Sequence, residues 1–493
     1  MTRYLLAIDQ GTTGTTALLV DDNLTLRGKV TVDFPQHFPQ PGWVEHDAEE
    51  IWVSVCQAVS GVLATTGIPA KTISAIGITN QRETVLPWER SSGRPLTRAI
   101  VWQCRRTADL CQQLRNAGLE PEFRQKTGLV LDPYLSGTKI RWLLDHTPGL
   151  RQRAEAGDIA FGTIDSFLVW RLCGGQTHIT DVSNASRTLL MNLQTCNWDE
   201  ALLGHLDIPA SVLPEIRPSS TVYARTHGLN FLPDGIPIAG IAGDQQAALF
   251  GQACFSAGEG KCTYGTGAFL LVNTGPTPVP SSNGLLTTVA WQIEGQPPIY
   301  ALEGSAFVAG AAVQWLRDGL GLIKTAADIE TLAQNVADSA GVIFVPALTG
   351  LGAPHWNSAA RGLISGITRG TTAAHLARAT LEGIALQIVD LVQAMDEDRG
   401  MPLAVFKVDG GAAANNLLMQ LQADLLNVAV IRPRTIETTA LGAAMLAGLA
   451  VNIWPDMSQL QACWQEERRF TPQMETQQRQ DLIARWQSVV SKA

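Results

Sequence analysis

Two periods of apolar and polar positions run along the chain. At its start, "YLLAIDQGTTGTTALLV" (Tyr4 to Val20) is apolar, crosses a turn rich in glycine and threonine, and is apolar again. Short apolar runs either side of such a turn predict a hairpin, with strands Leu5 to Ile8 and Ala17 to Val20. "LRGKVTVDF" continues as a third strand. The period then changes. In "HDAEEIWVSVCQAVSGVL", Ile51, Val55, Val59 and Val62 recur at helical spacing, which predicts a helix with one buried face. Asp47, followed three residues later by Glu50, offers acceptors to the unpaired amides of the first turn. "ISAIGIT" (Ile73 to Thr79) is a buried strand ending in the polar run "NQRE". This order of strands and helix implies α/β architecture.

The pattern restarts near Ile236. "IPIAGIAG" is an apolar strand, and "DQQAALFGQA" opens a helix with Asp244 at its head. "GKCTYGTGAFLLVNTG" repeats the opening hairpin, with Gly265-Thr266 where Gly11-Thr12 stood relative to the apolar strand that follows. "FKVDGGAAANNLLMQLQADLL" reads as a strand, a glycine turn and a helix. One hairpin type used once in each half implies two similar domains facing one another, 1–250 and 251–493. Roughly the last 40 residues read as an amphipathic C-terminal helix.

Composition narrows the possibilities. A chain of 493 residues predicts two large domains or a few smaller ones. A hydrophobic content of 45% with 16% charged residues supplies a large core. The formal net charge of −9 argues against nucleic-acid or anionic-membrane partners, so any phosphate ligand must be held by local amides, hydroxyls and a metal. The eight cysteines include no C-x-x-C pair and no zinc-ligand spacing, and read as reduced structural thiols. The longest small-apolar run, "ALGAAMLAGLAV" (Ala440 to Val451), is far shorter than the ~20 residues a membrane helix needs. Met1 leads directly into a strand, with no signal segment, so a cytoplasmic enzyme is expected.

A Gly-Thr turn lets the backbone approach a ligand closely, and its amides and hydroxyls can donate to phosphate oxygens. One such turn is equally an ordinary hairpin turn. Two matched turns together with "DGGAAANN" predict a nucleotide clasped from two sides, with Asp9 holding a magnesium ion directly or through water. Gly410-Gly411 before a helix headed by Asn415 suits an adenosine pocket. Other nucleotide motifs fail. "GEGKC" lacks the glycine spacing and the Ser/Thr of a Walker loop, and no G-x-G-x-x-G follows a strand. The eight histidines contain no H-x-x-x-H.

"PGWVEHD", "GITNQRETVLPWE", "AIVWQCRRT", "LDPYLSGTK", "SNASRT", "GIAGDQQAALFGQ", "YGTGAF", "GLGAP" and "DGGAAANN" together resemble the glycerol-phosphorylating branch of the FGGY carbohydrate kinases, within the actin–hexokinase superfamily. The resemblance runs from Tyr4 to about Phe470. It implies two actin/hexokinase-like (ribonuclease H-like) α/β domains with ATP and acceptor in a catalytic cleft between them. The implied reaction is ATP-dependent phosphorylation of glycerol to sn-glycerol 3-phosphate, the first step of glycerol catabolism, in a homodimer or homotetramer.

Carried over by residue, the resemblance places Arg82, Glu83, Tyr134, Asp244 and Gln245 on the glycerol hydroxyls, with Trp102 and Phe269 against its carbon chain. Nucleotide contacts fall on Thr12, Thr13, Gly14, Thr266, Gly310, Gln314, Gly411 and Asn415. Asp244 is the general base: a carboxylate is ionised at neutral pH, and a loose transition state lets it take the hydroxyl proton late. Asp244 reads equally as a helix cap.

Two departures from the family pattern stand out. Thr16 replaces a common arginine, and "APHWN" carries His355 and Asn357 where a tyrosine and an aspartate are usual. Other readings are a family member acting on a pentulose, a gluconate-like acid or a longer polyol, and an ATP-driven switch of chaperone type, for which no separate substrate domain is left. Some enteric family members are inhibited by fructose 1,6-bisphosphate and by a sugar-transport phosphocarrier. The matching loop here, Thr226 to Gly240, has no lysine or arginine and contains Asp234, and Gln478 stands where the carrier-contacting glutamate would be. Regulation by the bisphosphate or the phosphocarrier is therefore not expected.

Overall fold

The opening hairpin pairs as expected. In the computed structural model, which describes residues 3–357 and 359–493, strands Tyr4–Gln10 and Gly14–Asp21 run antiparallel with Ile8 opposite Ala17. Leu26–Asp33 extends the hairpin, and Ile73–Asn80 lies parallel to the first strand on its other side. Pro237–Gly243 and Ser220–Arg225 complete this six-stranded first sheet. Its central strand is apolar at every position from Leu5 to Ile8 because both faces are covered. Leu6 and Ile8 pack with Ile51, Val55 and Val59 of helix Ala48–Thr66 on one face. Leu5 and Ala7 pack with Ala440, Leu441 and Ala444 of helix Thr438–Ala450 on the other. Burying each such leucine or isoleucine contributes about 1.5–3 kcal/mol.

The repeated hairpin recurs with the same logic. Glu259–Tyr264 and Ala268–Gly275 are antiparallel, and Val405–Asp409 is parallel to the first of them. Ile299–Ala306 and Leu286–Trp291 extend one side, Val430–Pro433 and Glu466–Phe470 the other, making seven strands.

Helix Thr438–Ala450 belongs by sequence to the second half but lies on the first sheet and beside helix Asp244–Gly251. Glycine permits the contact: a Cβ on Gly442 would come within 1.8 Å of the Ala247 carbonyl, and one on Gly77 within 2.1 Å of the Ala443 carbonyl. No helix among the described residues is long and apolar enough to cross a membrane.

Two features differ from the sequence expectations. The C-terminal stretch is not one helix. Helix Met457–Cys463 and edge strand Glu466–Phe470 precede helix Thr476–Val490, and only this last helix buries an apolar face, with Leu482, Trp486, Val489 and Val490. "EERRF" forms a strand because it borders the second sheet, pairing Phe470 with Val430 at the edge while four of its five side chains stay exposed. A separate four-stranded sheet made from Glu45–His46, Val85–Glu89, Ala99–Ile100 and Ile159–Thr163 carries helices such as Ser136–His146. It brings Tyr134 to the site.

Candidate active site

Strand Ile73–Asn80 delivers Arg82 and Glu83 to the cleft. Glu83 sits at φ 61°, a conformation that costs a β-carbon residue of order 1–3 kcal/mol and that surrounding contacts must enforce. Those contacts are charged and buried. Arg82 Nη1 and Nη2 donate to Glu303 Oε2 and Oε1 at 2.6 and 2.9 Å. Arg187 Nε donates to Glu83 Oε1 at 2.7 Å, and its Nη2 to Glu303 Oε1 at 3.2 Å. Two guanidinium groups thus meet two carboxylates, the pairing that buried charges require. Burial pushes the Glu303 carboxyl up, but Arg187 and then Arg82 outweigh it and hold it down to about 2. Glu83 moves the other way, because burial there exceeds the pull of Arg82 and Arg187.

Asp244 opens helix Asp244–Gly251. Its Oδ1 accepts from the Gln245 amide at 2.7 Å and lies 3.0 Å from Arg82 Nε. Its side chain is 32% exposed, and Oδ2 has no partner among the described residues, so one oxygen is free to take a proton. Asp244 occupies the first position of its helix, while Gly243 is the cap residue. Gln245 Oε1 accepts from Lys261 Nζ of the second sheet.

The Trp102 ring meets Tyr134 edge-on, centroids 5.7 Å apart, and Tyr134 Oη accepts from Arg82 Nη2 at 3.2 Å. These residues form an apolar wall beside a polar floor. Phe269 lies in strand Ala268–Gly275, half-buried, and joins no ring pair among the described residues. Arg82, expected to donate to the acceptor hydroxyls, is already engaged. Its terminal nitrogens already make four hydrogen bonds, so a ligand hydroxyl must displace or share a long one, to Tyr134 at 3.2 Å or to Gln246 at 3.3 Å.

At the residues expected to meet the nucleotide, Gly11 N donates to Gly14 O at 2.9 Å and closes the first turn around Thr12 and Thr13. The Thr12 hydroxyl accepts from Trp102 Nε1 at 3.0 Å, joining this turn to the aromatic wall. In the second turn, the Thr266 carbonyl accepts from Ala309 and Ala311, and Gly310 N donates to Gly265 O at 2.9 Å. Gln314 is exposed on the helix that follows, Gly310–Asp318. Gly410 has φ 86°, and a Cβ there would lie 2.5 Å from the Tyr264 carbonyl, whereas a Cβ on Gly411 would meet nothing within 4 Å. Glycine is thus required at 410, and open space lies beside 411. Asn415 Oδ1 caps helix Asn416–Leu426 through Leu418 N at 2.9 Å, which leaves only its amino end for a ligand.

Asp9 lies one residue before the end of the first strand, half-buried, and its carboxylate has no hydrogen bond or ion pair among the described residues. Burial, then Asp244 and Glu437, push its carboxyl up to about 7. An unpartnered carboxylate repelled by two others fits a cation. No group of three potential ligands surrounds it among the described residues, so a magnesium ion held there would take most of its oxygen ligands from water or from a bound ligand.

The departures from the family pattern have local partners. Thr16 Oγ1 lies 2.9 Å from Thr31 Oγ1. His355 Nε2 is 3.0 Å from Asp390 Oδ2, which also accepts from Trp486 Nε1 at 2.8 Å. Asn357 Oδ1 accepts from the amides of Ala359 and Ala360. In the loop before strand Pro237–Gly243, His227 Nδ1 lies 3.1 Å from Asp234 Oδ2.

Sequence reading did not identify Arg187, Glu303, Gln246 or Lys261 as site residues. The available signal for Glu303 was a lone acid in the apolar run "IYALEGSA", which buries it at 2% exposure. Arg187 stands in "SNASRT", a stretch with no role attached to it.

The N-terminal-domain model of the FGGY family of carbohydrate kinases matches residues 4–251, and its C-terminal-domain model matches residues 260–451. A protein of Myxococcus xanthus named glycerol kinase is 58% identical over 492 residues, covering 100% of this chain and 99% of that protein. One of Listeria monocytogenes, also named glycerol kinase, is 54% identical over 491 residues, covering 100% and 99%. Among solved structures, Plasmodium falciparum glycerol kinase with ADP aligns with a TM-score of 0.94 at 37% identity, covering 100% of this chain and 98% of that one.

Proposed function

The chain belongs to the FGGY family of carbohydrate kinases, and from that premise we propose that it transfers the γ-phosphoryl group of ATP to a terminal hydroxyl of glycerol, giving sn-glycerol 3-phosphate. Full-length likeness to glycerol kinases carries this reading. Residues 1–250 and 251–493 act as halves closing on acceptor and nucleotide. Trp102 and Tyr134 cover the C–H side of the triol. Glu83 accepts, and the Arg82 and Gln245 groups donate, on its hydroxyl side. Such a site rejects analogues lacking a hydroxyl, because its buried polar groups would be left unmatched.

Asp244 Oδ2 accepts the attacking hydroxyl's proton as transfer proceeds. In a loose transition state that proton leaves late, so an ordinary carboxylate suffices as base. The amides and hydroxyls of Thr12, Thr13 and Thr266 hold the phosphates. Gly310, Gln314, Gly411 and Asn415 surround the nucleoside. Bound magnesium, held from Asp9 through oxygen ligands, would neutralise phosphate charge. Closure of the halves keeps water from ATP, which would otherwise be hydrolysed. A cytoplasmic homodimer or homotetramer, unregulated by the phosphocarrier, belongs to the same proposal.

The test is acceptor-dependent ADP release with glycerol against xylulose, gluconate and longer polyols. Glycerol should give the highest kcat/KM by at least about a hundredfold. Equal or better use of a pentulose overturns the reading.

A further inference from the structure

A buried side-chain network lies under the first Gly-Thr turn. Gln10 Nε2 donates to the Gly11 carbonyl at 2.7 Å, and Gln81 Nε2 to the same carbonyl at 3.2 Å. Gln36 Nε2 donates to the Thr12 carbonyl at 2.9 Å. His46 joins these groups from below: its Nε2 lies 2.6 Å from Gln36 Oε1, and its Nδ1 lies 3.2 Å from Gln81 Nε2. His46 and Gln10 are fully buried and Gln81 is 1% exposed.

The donor directions follow from the chemistry. Gln36 spends its amino end on the Thr12 and Phe34 carbonyls, so its oxygen must accept, and His46 Nε2 carries the proton. Nδ1 is then the bare nitrogen and accepts from one Gln81 Nε2 proton, while the other is shared between Gln10 Oε1 at 3.0 Å and the Gly11 carbonyl at 3.2 Å. Burial, then His37, lowers the His46 pKa to about 4, which keeps the ring neutral with a single proton. The bonds therefore run one way, from Gln81 through His46 to Gln36 and on to the turn.

In a planar trans peptide the carbonyl and the next N–H point in opposite directions. Tying the Gly11 carbonyl inward turns the Thr12 amide outward. Tying the Thr12 carbonyl inward does the same for Thr13. Neither amide has an acceptor among the described residues, and Thr13 is exposed. Two consecutive unpaired amides on one side of a turn make an anion-binding concavity.

Resting on the reading that this turn holds nucleotide phosphate, we infer that His46 is a positioning residue for the nucleotide: through Gln36 and Gln81 it fixes the Gly11 and Thr12 carbonyls so that the Thr12 and Thr13 amides face the phosphates. The same network reaches the acceptor side. Gln81 Oε1 accepts from Thr84 Oγ1 at 2.9 Å, which accepts in turn from the Trp102 amide at 3.2 Å. Turn and acceptor strand are thereby held in one register.

The test uses the full-length enzyme and His46→Phe, which keeps a ring against Phe34 but removes both hydrogen bonds. KM for ATP should rise about tenfold to a hundredfold, while glycerol affinity measured without nucleotide stays within about threefold. His46→Gln, able to donate and accept, should recover part of the loss. Gln36→Met, at a half-buried position, tests the same tie should His46→Phe not fold, and should raise the ATP KM likewise. An unchanged ATP KM in a folded variant, or an equal loss of glycerol affinity, overturns the inference.

Hydrogen–deuterium exchange of segment 10–16 with a non-hydrolysable ATP analogue separates this from its premise. Slowing in wild type that is lost in His46→Phe supports the inference. Slowing in both overturns the inference alone, and no slowing in wild type overturns the nucleotide reading of the turn as well.

Discussion

Glu303 grips both ends of the Arg82 guanidinium, at 2.6 and 2.9 Å, from the opposite sheet. Arg82 follows a strand of the first sheet, and Glu303 lies within a strand of the second, so this pair forms only when the two halves meet. It leaves only Nε beside Asp244, at 3.0 Å. Arg82 thus orients Asp244, the proposed base, without enclosing it.

Removing the Glu303 charge should therefore damage both the fold and acceptor use. Glu303→Ala leaves two buried guanidinium groups short of a partner and should lower unfolding free energy by about 3–5 kcal/mol. Glu303→Gln keeps the shape and should raise KM for glycerol at least about tenfold, with KM for ATP changed less than about threefold. Thermal unfolding and the two Michaelis constants check this. Equal rises in both constants would deny Glu303 an acceptor-side role.

Asp244→Asn retains the shape of the site but cannot accept a proton. Turnover should fall roughly 10²–10⁴-fold while glycerol still binds. Steady-state rates and glycerol binding, measured side by side, decide it. Turnover within about tenfold of wild type, a barrier change near ~1.4 kcal/mol, removes Asp244 from the role of base.

Asp9 predicts a pH-dependent need for magnesium. Its carboxyl, raised to about 7 by burial, Asp244 and Glu437, must lose a proton before it can hold a cation. Half-saturating magnesium should fall as pH rises through 7, and Asp9→Asn should abolish that trend together with most activity. Magnesium titrations of wild type at pH 6 and pH 8 giving one midpoint would contradict the placement.

A second carboxyl reports on stability alone. Asp165 is fully buried between the hydroxyls of Thr163 and Thr180, and burial, then Asp181, raises it from 3.8 to about 7. Between those values the native state holds a proton that the unfolded chain has lost. This group's contribution to stability therefore declines as pH rises from about 4 to about 7 and stays low above that. Asp165→Asn removes the dependence, so its Tm relative to wild type should climb between pH 4 and pH 7 and then level off. A constant difference across that range would show that Asp165 does not titrate there.

Fructose 1,6-bisphosphate at millimolar concentration should leave activity and subunit assembly unchanged. The Thr226–Gly240 loop offers no lysine or arginine to a ligand of nearly −4 charge, and His227 is engaged with Asp234 at 3.1 Å. Clear inhibition would place the effector on other residues.

Local pattern was enough for the elements and for their repetition. Apolar runs around Gly-Thr turns, a helical spacing from Ile51 to Val62 and the strand-then-Asp244 signal are short-range features, and each lies within a few residues of what it specifies. The motifs likewise marked Arg82, Glu83, Trp102, Tyr134 and Asp244, which the fold brings into one cluster.

Only the tertiary structure decided what depends on distant partners. "EERRF" is a strand because it pairs with Val430–Pro433 at the edge of the second sheet, and its own polar pattern carries no trace of that neighbour. Glu303 and Arg187 join the site across 221 and 104 residues from Arg82 and Glu83 respectively, and a buried ion pair has no periodicity to read. The same holds for Arg82 itself: its residue type indicated a donor, but how many of its N–H groups remain free is a count of neighbours, which only the folded chain supplies.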